Sequence, residues 1–188
     1  MNIYDFDNTI FDGDSSFKFI MYSLKRHPFL LFISILKMIK ELVKKLFGKS
    51  NFGNIKSELF SFVKHINNFD EYVNKFILKY SKNIKRFYLN QQKDNDVIIS
   101  ASFDFIIVPF CKSLGIKNII ATRYDVKKGK IIGKNCKGKE KIVRLKEMYK
   151  NPLVDKAYSD SFSDIPMFEI AKKGYLVKKD RIIPYIKD

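Results

Sequence analysis

The spacing of apolar residues divides the chain into a short first strand, a helical block and a second half with a different texture. Residues 2–6 form a short apolar run that is typical of a buried strand, and a polar, glycine-containing loop is predicted to follow. From Phe17 to Phe47 apolar residues recur at helical spacing. Pro28 should divide this stretch into two helices, and Gly48 should end the second.

Two further helices complete the predicted block. One covers about residues 55–65, and the other covers about residues 68–89. Asn68 and Glu71 have the spacing of a capping box, which predicts that the last helix begins at Asn68. The sequence up to about residue 92 is therefore expected to be helical after its first strand.

After Asp96, short β-branched runs alternate with helical segments. Strands are predicted at 97–100, 118–121, 156–159 and 175–177, helices at 103–114, 140–149 and 165–172, and a hairpin at 124–132. Such alternation predicts an α/β fold with a Rossmann-like parallel sheet. Residues 1–14 and 93–188 would form this core, and residues 15–92 would be an all-helical cap inserted after the first strand.

Acidic and hydroxyl side chains lie where the predicted strands end. They are Asp5 and Asp7 after the first strand, Ser100–Ser102 at the end of the second, Thr122 after the third, and Asp160 and Asp164 after the strand at 156–159. In parallel sheets, ligands bind at the carboxyl ends of the strands, so these side chains are expected to converge. Asp5 and Asp7 would repel each other if they were buried together, and a divalent cation such as Mg²⁺ would relieve that repulsion.

The order of these residues resembles the signatures of the haloacid dehalogenase superfamily. Asp5-Phe6-Asp7-Asn8-Thr9 is similar to the first signature, Asp-x-Asp-x-Thr at the end of strand one. Ser100 resembles the hydroxyl of the second signature, and Asp160 with Asp164 resembles the fourth. The resemblance covers essentially the whole chain and implies a haloacid dehalogenase-like core.

The helical block resembles the cap of the phosphoserine phosphatase-like branch of that superfamily. Residues 100–103, 135–141 and 158–161 are similar to a bacterial subgroup of this branch. That subgroup includes phosphatidylglycerophosphate phosphatases of the C type. The substrate implied is a small phosphomonoester or a lipid phosphate.

The resemblance also implies a mechanism and a role for each residue. Asp5 would be the nucleophile that forms an aspartyl phosphate, and Asp7 would act first as general acid and then as general base. Mg²⁺ would be held by Asp5, the backbone carbonyl of Asp7 and Asp160, with Asp164 binding it directly or supporting it. Ser100 and a lysine would bind the phosphoryl oxygens.

The phosphate-binding lysine is open between two residues near the start of the helix at 140–149. The Cys-x-Gly-x-x-Lys pattern of the subgroup selects Lys141, whereas alignment on Lys-Gly, as in phosphoserine phosphatases, selects Lys137. We favour Lys141. In a chain this rich in lysine, either residue could instead be an ordinary surface lysine.

The net charge of +16 indicates an anionic partner or a compositional bias towards lysine, as in an AT-rich genome. Residues 17–50 hold eight Lys or Arg and one Glu. On a helix, Lys37, Lys40 and Lys44 share one face, and the roughly opposite face holds Ile35, Met38, Ile39, Leu42 and Leu46. This pattern predicts peripheral contact with an anionic membrane, or a packed helix whose lysines face water. No nucleic-acid partner is expected.

The cysteine content and the N-terminal sequence favour a cytoplasmic protein. Cys111 and Cys136 are the only cysteines and have no metal-ligand spacing, as is usual in a reducing compartment. The first residues lack the basic and apolar regions of a signal peptide. Any membrane contact would be at the inner face. The alternative function is a basic nucleic-acid or membrane-surface binding module with a vestigial phosphatase site.

Overall fold

A six-stranded sheet forms the centre of the computed structural model, which describes residues 1–179 and 181–186. The strands lie in the order β3-β2-β1-β6-β7-β8. Their bounds are β1 (Asn2–Tyr4), β2 (Val97–Phe103), β3 (Asn118–Thr122), β6 (Val154–Ser159), β7 (Ala171–Lys178) and β8 (Arg181–Tyr185). All neighbouring strands are parallel except β7 and β8, which are antiparallel. The predicted α/β class with a parallel sheet is therefore confirmed.

A small hairpin lies outside this sheet. Its strands are β4 (Tyr124–Asp125) and β5 (Lys130–Ile131), and they pair antiparallel. Gly129 in the connecting turn has φ +68°, a left-handed conformation that glycine adopts without strain. The hairpin and its turn lie where the sequence predicted them.

Five helices lie between β1 and β2. They are α1 (Ser15–Leu24), α2 (Pro28–Leu46), α3 (Phe52–Leu59), α4 (Phe69–Tyr80) and α5 (Arg86–Leu89), with short 3-10 turns at Ser61–His65 and Ser81–Asn83. Pro28 separates α1 from α2 as predicted, because it occupies the first turn of α2, where its missing N–H costs nothing. All five helices fall within the predicted insertion, residues 15–92. The division into core and cap itself stays a prediction.

Three helices lie in the second half of the described chain, after β2, after the hairpin and after β6. They are α6 (Asp104–Ser113), α7 (Lys139–Met148) and α8 (Ile165–Ile170). The described residues contain no helix with the length and apolar character needed to cross a membrane.

The sheet separates two hydrophobic clusters, because neighbouring residues of a strand point to opposite faces. Ile3 belongs to a cluster that includes Leu145 of α7 and Phe168 of α8. Tyr4 belongs to a larger cluster that also includes Phe19 of α1. The helical insertion thus shares its apolar interior with one face of the sheet, which fixes α1 beside the end of β1.

Four local expectations differ from the structure. The single helix predicted over about residues 68–89 is divided, because α4 ends at Tyr80 and the separate helix α5 covers Arg86–Leu89. Asn68 precedes α4 in a left-handed conformation, φ +49°, and its side chain makes no capping bond, so the predicted capping box is wrong. Helix α8 ends at Ile170, because Ala171 already pairs with Val154 in the sheet. Strand β8 was not anticipated, since its residues are mostly exposed and contain a proline, as befits an edge strand.

Candidate active site

Three parallel strands bring the predicted polar residues to one edge of the sheet. Ile3 of β1 pairs with Val97 of β2 on one side and with Ala157 of β6 on the other, so the carboxyl ends of the three parallel strands point to the same edge, and β2 continues past the end of β1 to Phe103. The residues that follow them line a cavity of about 270 Å³. Its lining includes Asp5, Asp7, Ser102, Lys141, Asp160 and Asp164. A larger cavity of about 710 Å³ between the insertion and the hairpin contains none of the predicted site residues.

A buried lysine links two of the predicted carboxylates. Lys141 Nζ lies 2.6 Å from Asp5 Oδ1 and 2.7 Å from Asp164 Oδ2. Burial opposes the charge of Lys141, but the two carboxylates outweigh that effect and raise its pKa. Burial raises the pKa of Asp5, while the positive charge of Lys141 acts in the opposite direction. The structure therefore joins the predicted nucleophile to one member of the second acidic pair through one fully buried cation.

The start of α7 determines which lysine reaches the carboxylates. Gly138 precedes the helix with φ +58°, and a Cβ atom there would lie 3.3 Å from the backbone oxygen of Ser163. This close approach places the first turn of α7 against the loop that carries Asp164. Lys141 then enters the site, whereas Lys137 lines the cavity and forms no salt bridge with any residue that the structure describes. Phosphate binding by Lys141 stays a prediction.

Asp7 is held by two hydrogen bonds from the helical insertion and β2. The backbone N–H of Ser15 donates to Asp7 Oδ1 at 2.6 Å, and the Ser102 hydroxyl donates to Asp7 Oδ2. Burial raises the pKa of Asp7, and these two hydrogen bonds partly oppose the shift. A carboxyl group with a raised pKa is suited to transfer protons near neutral pH.

Thr9 connects the loop after β1 with the loop after β6. Its hydroxyl donates to Asp5 Oδ2 at 3.4 Å and accepts a hydrogen bond from the backbone N–H of Asp160 at 2.9 Å. Burial and then the negative charge of Asp5 raise the pKa of Asp160 to about 6. Thr9 was noticed in the sequence only as part of a motif, and its hydrogen bonds show that it holds the two acidic loops together.

Ser100 does not reach the cavity with its side chain. It is fully buried, and its hydroxyl oxygen accepts a hydrogen bond from the backbone N–H of Ser102 at 3.0 Å. The lining at this point consists of Ala101 and Ser102, where the pairing of β2 with β3 shifts register. The phosphate-binding role of Ser100 stays a prediction. Ser102, which the sequence places at the strand end without a predicted role, is the hydroxyl that contacts Asp7.

Lys56 enters the same cavity from α3. Its Nζ donates to the backbone oxygen of Ala101 at 2.8 Å and lies 4.5 Å from the centre of the Phe103 ring. Burial lowers the pKa of Lys56 to about 8. Nothing in the sequence distinguishes Lys56 from its many neighbouring lysines, because its position depends on the packing of α3 against β2.

The carboxylates of this cavity fit the predicted Mg²⁺. Within residues 1–179 and 181–186, no group of three or more His, Cys, Asp or Glu side chains is arranged to hold a metal ion by itself. The predicted donors are instead two carboxylates, Asp5 and Asp160, and the backbone carbonyl of Asp7. Asp164 Oδ1 is also buried and has no hydrogen-bond partner in the described part of the chain. Carboxylate and carbonyl oxygens are the ligands that Mg²⁺ prefers.

Comparison with known sequences identifies a family. A family model described as haloacid dehalogenase-like hydrolase matches residues 3–169. Protein CicA of Caulobacter vibrioides is 39% identical in an alignment of 88 residues, and the match covers 43% of this chain and 40% of CicA. A Mycobacterium tuberculosis protein named a probable phosphatase is 36% identical in an alignment of 92 residues, and the match covers 45% of this chain and 32% of that protein. The matched region thus spans well under half of either relative.

Solved structures share the fold at low sequence identity. A Bordetella pertussis protein of unknown function matches with a TM-score of 0.68 at 15% identity, and the match covers 93% of this chain and 87% of that one. Phosphoserine phosphatase in its apo form matches with a TM-score of 0.58 at 20% identity, covering 92% of this chain and 82% of the other. These similarities show a common fold for the sheet and the helical insertion.

Proposed function

Since this chain belongs to the haloacid dehalogenase-like hydrolases, we propose that it is a Mg²⁺-dependent phosphomonoester hydrolase. The observation that carries the proposal is the pairing of Asp5 with the buried Lys141, 2.6 Å away, beside an Asp7 whose pKa is raised. A carboxylate held by a buried cation is positioned as a nucleophile, and a carboxyl of raised pKa next to it can supply a proton.

In the proposed first step, a carboxylate oxygen of Asp5 attacks the phosphorus of the substrate. The bond between phosphorus and the leaving alcohol oxygen breaks, and that oxygen takes the proton of Asp7. In the second step, water attacks the phosphorus of the aspartyl phosphate and gives a proton to Asp7. The bond between phosphorus and the Asp5 oxygen breaks, so phosphate is released and the Asp5 carboxylate is regenerated. Ser102 and Ser15 hold Asp7 in place for both proton transfers.

In this proposal, Lys141 and Mg²⁺ together balance the negative charge of the carboxylates and of the phosphoryl group. Asp5, the backbone carbonyl of Asp7 and Asp160 would hold Mg²⁺, with Asp164 beside them. When bound, the metal would neutralise charge on the phosphoryl oxygens. Lys141 is the proposed phosphate ligand, and it also balances Asp5 and Asp164 before substrate binds. Ser100 is the second proposed ligand, and its buried hydroxyl would have to turn towards the cavity to reach the phosphoryl oxygens.

The proposed substrate is a small phosphomonoester or a lipid phosphate. The support for a lipid phosphate is the resemblance to phosphatidylglycerophosphate phosphatases of the C type, together with the basic, apolar helix α2. In this proposal, residues 1–14 and 93–188 form the catalytic core and residues 15–92 form a cap that selects the substrate. We propose a cytoplasmic location, with peripheral contact at the inner face of the membrane.

Hydrolysis of p-nitrophenyl phosphate tests the proposed activity. Turnover is expected with Mg²⁺, is expected to stop with a chelator, and should return when Mg²⁺ is added. Asp5→Asn should abolish turnover without unfolding the chain. Asp12→Asn is a matched control, because Asp12 is exposed in the same loop and does not line the cavity.

The alternative, a binding module with a vestigial site, predicts a different result. It expects no Mg²⁺-dependent hydrolysis of any phosphomonoester, although the protein would still bind nucleic acid or membranes. A screen that includes phosphatidylglycerophosphate and phosphoserine would identify the substrate class. Equal activity of the Asp5→Asn variant and the unaltered protein would reject the proposed nucleophile.

A further inference from the structure

Helix α2 exposes a continuous apolar stripe to solvent. Six large apolar residues recur at alternating intervals of three and four, so they lie along one side of the helix. Their exposed fractions run from 45 to 79% for Phe29, Phe32, Leu36, Ile39, Val43 and Leu46. Exposed apolar surface of this extent usually marks a site of interaction. We refer to these six residues as the outer stripe.

The outer stripe is separate from the side of α2 that packs on the protein. The buried residues of the helix are Leu31 and Ser34, and Ser34 Oγ lies 3.0 Å from Ser61 Oγ. At about 100° per residue, these two positions lie roughly 140° around the helix from the middle of the stripe. The stripe is therefore not needed to hold α2 in place.

This arrangement differs from the two-sided helix that the sequence predicted. Ile35 and Met38 belong to the predicted apolar face, but they are only partly exposed and lie outside the outer stripe. Phe29, Phe32 and Val43 were not part of the predicted face, and all are exposed. Near the end of the helix, Phe47 and Phe52 are 73% and 72% exposed, so apolar surface continues beyond the stripe.

The charges in the segment that contains the stripe are almost all positive. Residues 17–50 contain eight Lys or Arg and a single acidic residue, Glu41. Glu41 is already engaged, because it accepts hydrogen bonds from Lys44 at 2.5 Å and from Ser50 at 2.6 Å. Lys40, which is exposed, lies closest to the stripe on the helical projection.

This charge distribution decides between two occupants of the surface. A second copy of the chain would bring the lysines of two α2 helices together with no free carboxylate in this segment to pair with them. A surface of anionic lipid headgroups would instead neutralise the lysines and accept the apolar side chains. We propose that α2 lies along an anionic lipid bilayer, with its outer stripe inserted between the headgroups.

Vesicle sedimentation tests the proposal independently of the catalytic site. The vesicles are phosphatidylcholine alone or phosphatidylcholine mixed with phosphatidylserine, neither of which is a phosphomonoester. We expect binding to the mixed vesicles and none to neutral ones. Equal binding to both kinds of vesicle, or none to either, would overturn the proposal even if the protein is an active phosphatase.

Two pairs of matched variants locate the contact. Leu36→Ser with Val43→Ser should weaken binding about tenfold or more, whereas Leu153→Ser with Val143→Ser changes the same two residue types at exposed positions elsewhere and should not. Lys37→Gln, Lys40→Gln and Lys44→Gln together should also weaken binding. The same change at Lys112, Lys117 and Lys146, which are exposed on other elements, should have a much smaller effect.

Three results would contradict the role of α2. An equal loss from both lysine sets would mean that only net charge matters. Retained binding in the Leu36→Ser, Val43→Ser variant would exclude insertion of the stripe. A dimer in analytical ultracentrifugation without vesicles, abolished by the same variant, would assign the surface to a second copy. Hydrolysis of p-nitrophenyl phosphate should be unchanged in all variants, which shows that they are folded.

Discussion

The cavity at the sheet edge and the outer stripe of α2 are opposite departures from ordinary protein structure. In the cavity, charged residues are buried, with Lys141 1% and Asp164 2% exposed. On α2, large apolar residues are exposed, with Leu46 reaching 79%. Buried charge and extensive exposed apolar surface are both informative because neither is favoured by folding alone.

The two regions differ in whether other residues of the protein stabilise the unusual side chains. Lys141 is paired with Asp5 and Asp164, and the Ser159 hydroxyl donates to Asp164 at 2.7 Å. The outer stripe has no such partner among the described residues, since α2 is held by its other side. Substitutions in the cavity should therefore change stability strongly, whereas substitutions in the stripe should leave the free protein almost unchanged.

The largest expected effect comes from removing the buried cation. Lys141→Met leaves Asp5 and Asp164 buried without their partner, and breaking such a pair costs about 3–5 kcal/mol. We expect a loss of this size in the free energy of unfolding, measured with urea, and no detectable turnover. Lys137→Met alters the same cavity without breaking an ion pair and should cost less than about 0.5 kcal/mol. Equal losses in both variants would show that Lys141 is not special.

Lys56 offers a test of the contribution of the insertion to the cavity. Its ammonium group should attract the phosphate dianion, so Lys56→Met is expected to raise KM about tenfold with little change in kcat. Because burial lowers the pKa of Lys56 to about 8, its charge is lost as the pH rises through that value. The KM of the unaltered protein should then rise, while that of Lys56→Met stays flat.

Steady-state kinetics across this pH range measure the effect. Lys64→Met is the control, because Lys64 is exposed and does not line the cavity. A KM that is the same in all three proteins would show that Lys56 of the helical insertion does not contribute to substrate binding.

Asp160 should destabilise the metal-free protein at neutral pH. Its pKa is about 6 in the folded state, against an ordinary value of about 3.9, so the folded state binds the proton more tightly. The stabilisation from that proton is complete below the unfolded pKa and is lost as the pH rises through about 6. Asp160→Asn should therefore be more stable near neutral pH by about 1 kcal/mol, a value reduced because the carboxyl is partly exposed.

Urea unfolding in the presence of a chelator measures this difference. The advantage of Asp160→Asn should disappear near pH 4, roughly the unfolded pKa. Asp155→Asn is the control, and it should be less stable than the unaltered protein near neutral pH. Hydrogen bonds and charge from Lys172 and the N-terminus lower the pKa of Asp155 to about 2, so the folded state favours its charged form. A destabilised Asp160→Asn variant near neutral pH would mean that other groups of the folded protein stabilise the negative charge of Asp160 without a metal.

The smallest effect is expected on the outer stripe. Leu36→Ser with Val43→Ser should change the free energy of unfolding by less than about 0.5 kcal/mol, because both residues are exposed. Leu31→Ala in the same helix removes a residue that is 1% exposed and should cost about 2–5 kcal/mol. A large loss from the stripe variant would show that its residues pack within the protein, which would remove the contrast between the two regions.

The positions of the candidate site residues were easiest to predict where a residue directly follows a strand. Asp5, Asp7 and Asp160 follow strands directly, so strand pattern and sheet topology are sufficient to bring them together. Lys141 needed the family resemblance, because lysines surround it in the sequence. No role was predicted for Ser102 or Lys56, since their contacts with Asp7 and Ala101 depend on packing between distant segments.

The fold shows the same limit. Pro28 and the alternating second half gave reliable element types, because each depends on local backbone chemistry or periodicity. The outer side of α2 could not be assigned, since an apolar residue on a helix has no mark that distinguishes a packed face from an exposed one. Phe29 and Leu31 are both large apolar residues in the first turn of α2, yet Phe29 is 71% exposed and Leu31 is 1% exposed.

The most direct test of the central claim is to trap the phosphorylated enzyme. Asp7→Asn retains the nucleophile but lacks the base for water attack, and p-nitrophenolate leaves without needing a proton. After acid quenching with radiolabelled p-nitrophenyl phosphate and Mg²⁺, we expect label on the peptide that contains Asp5 in Asp7→Asn, and none in Asp5→Asn combined with Asp7→Asn. Label that persists in the double variant, or that lies on a different peptide, would contradict the proposal that Asp5 is the nucleophile.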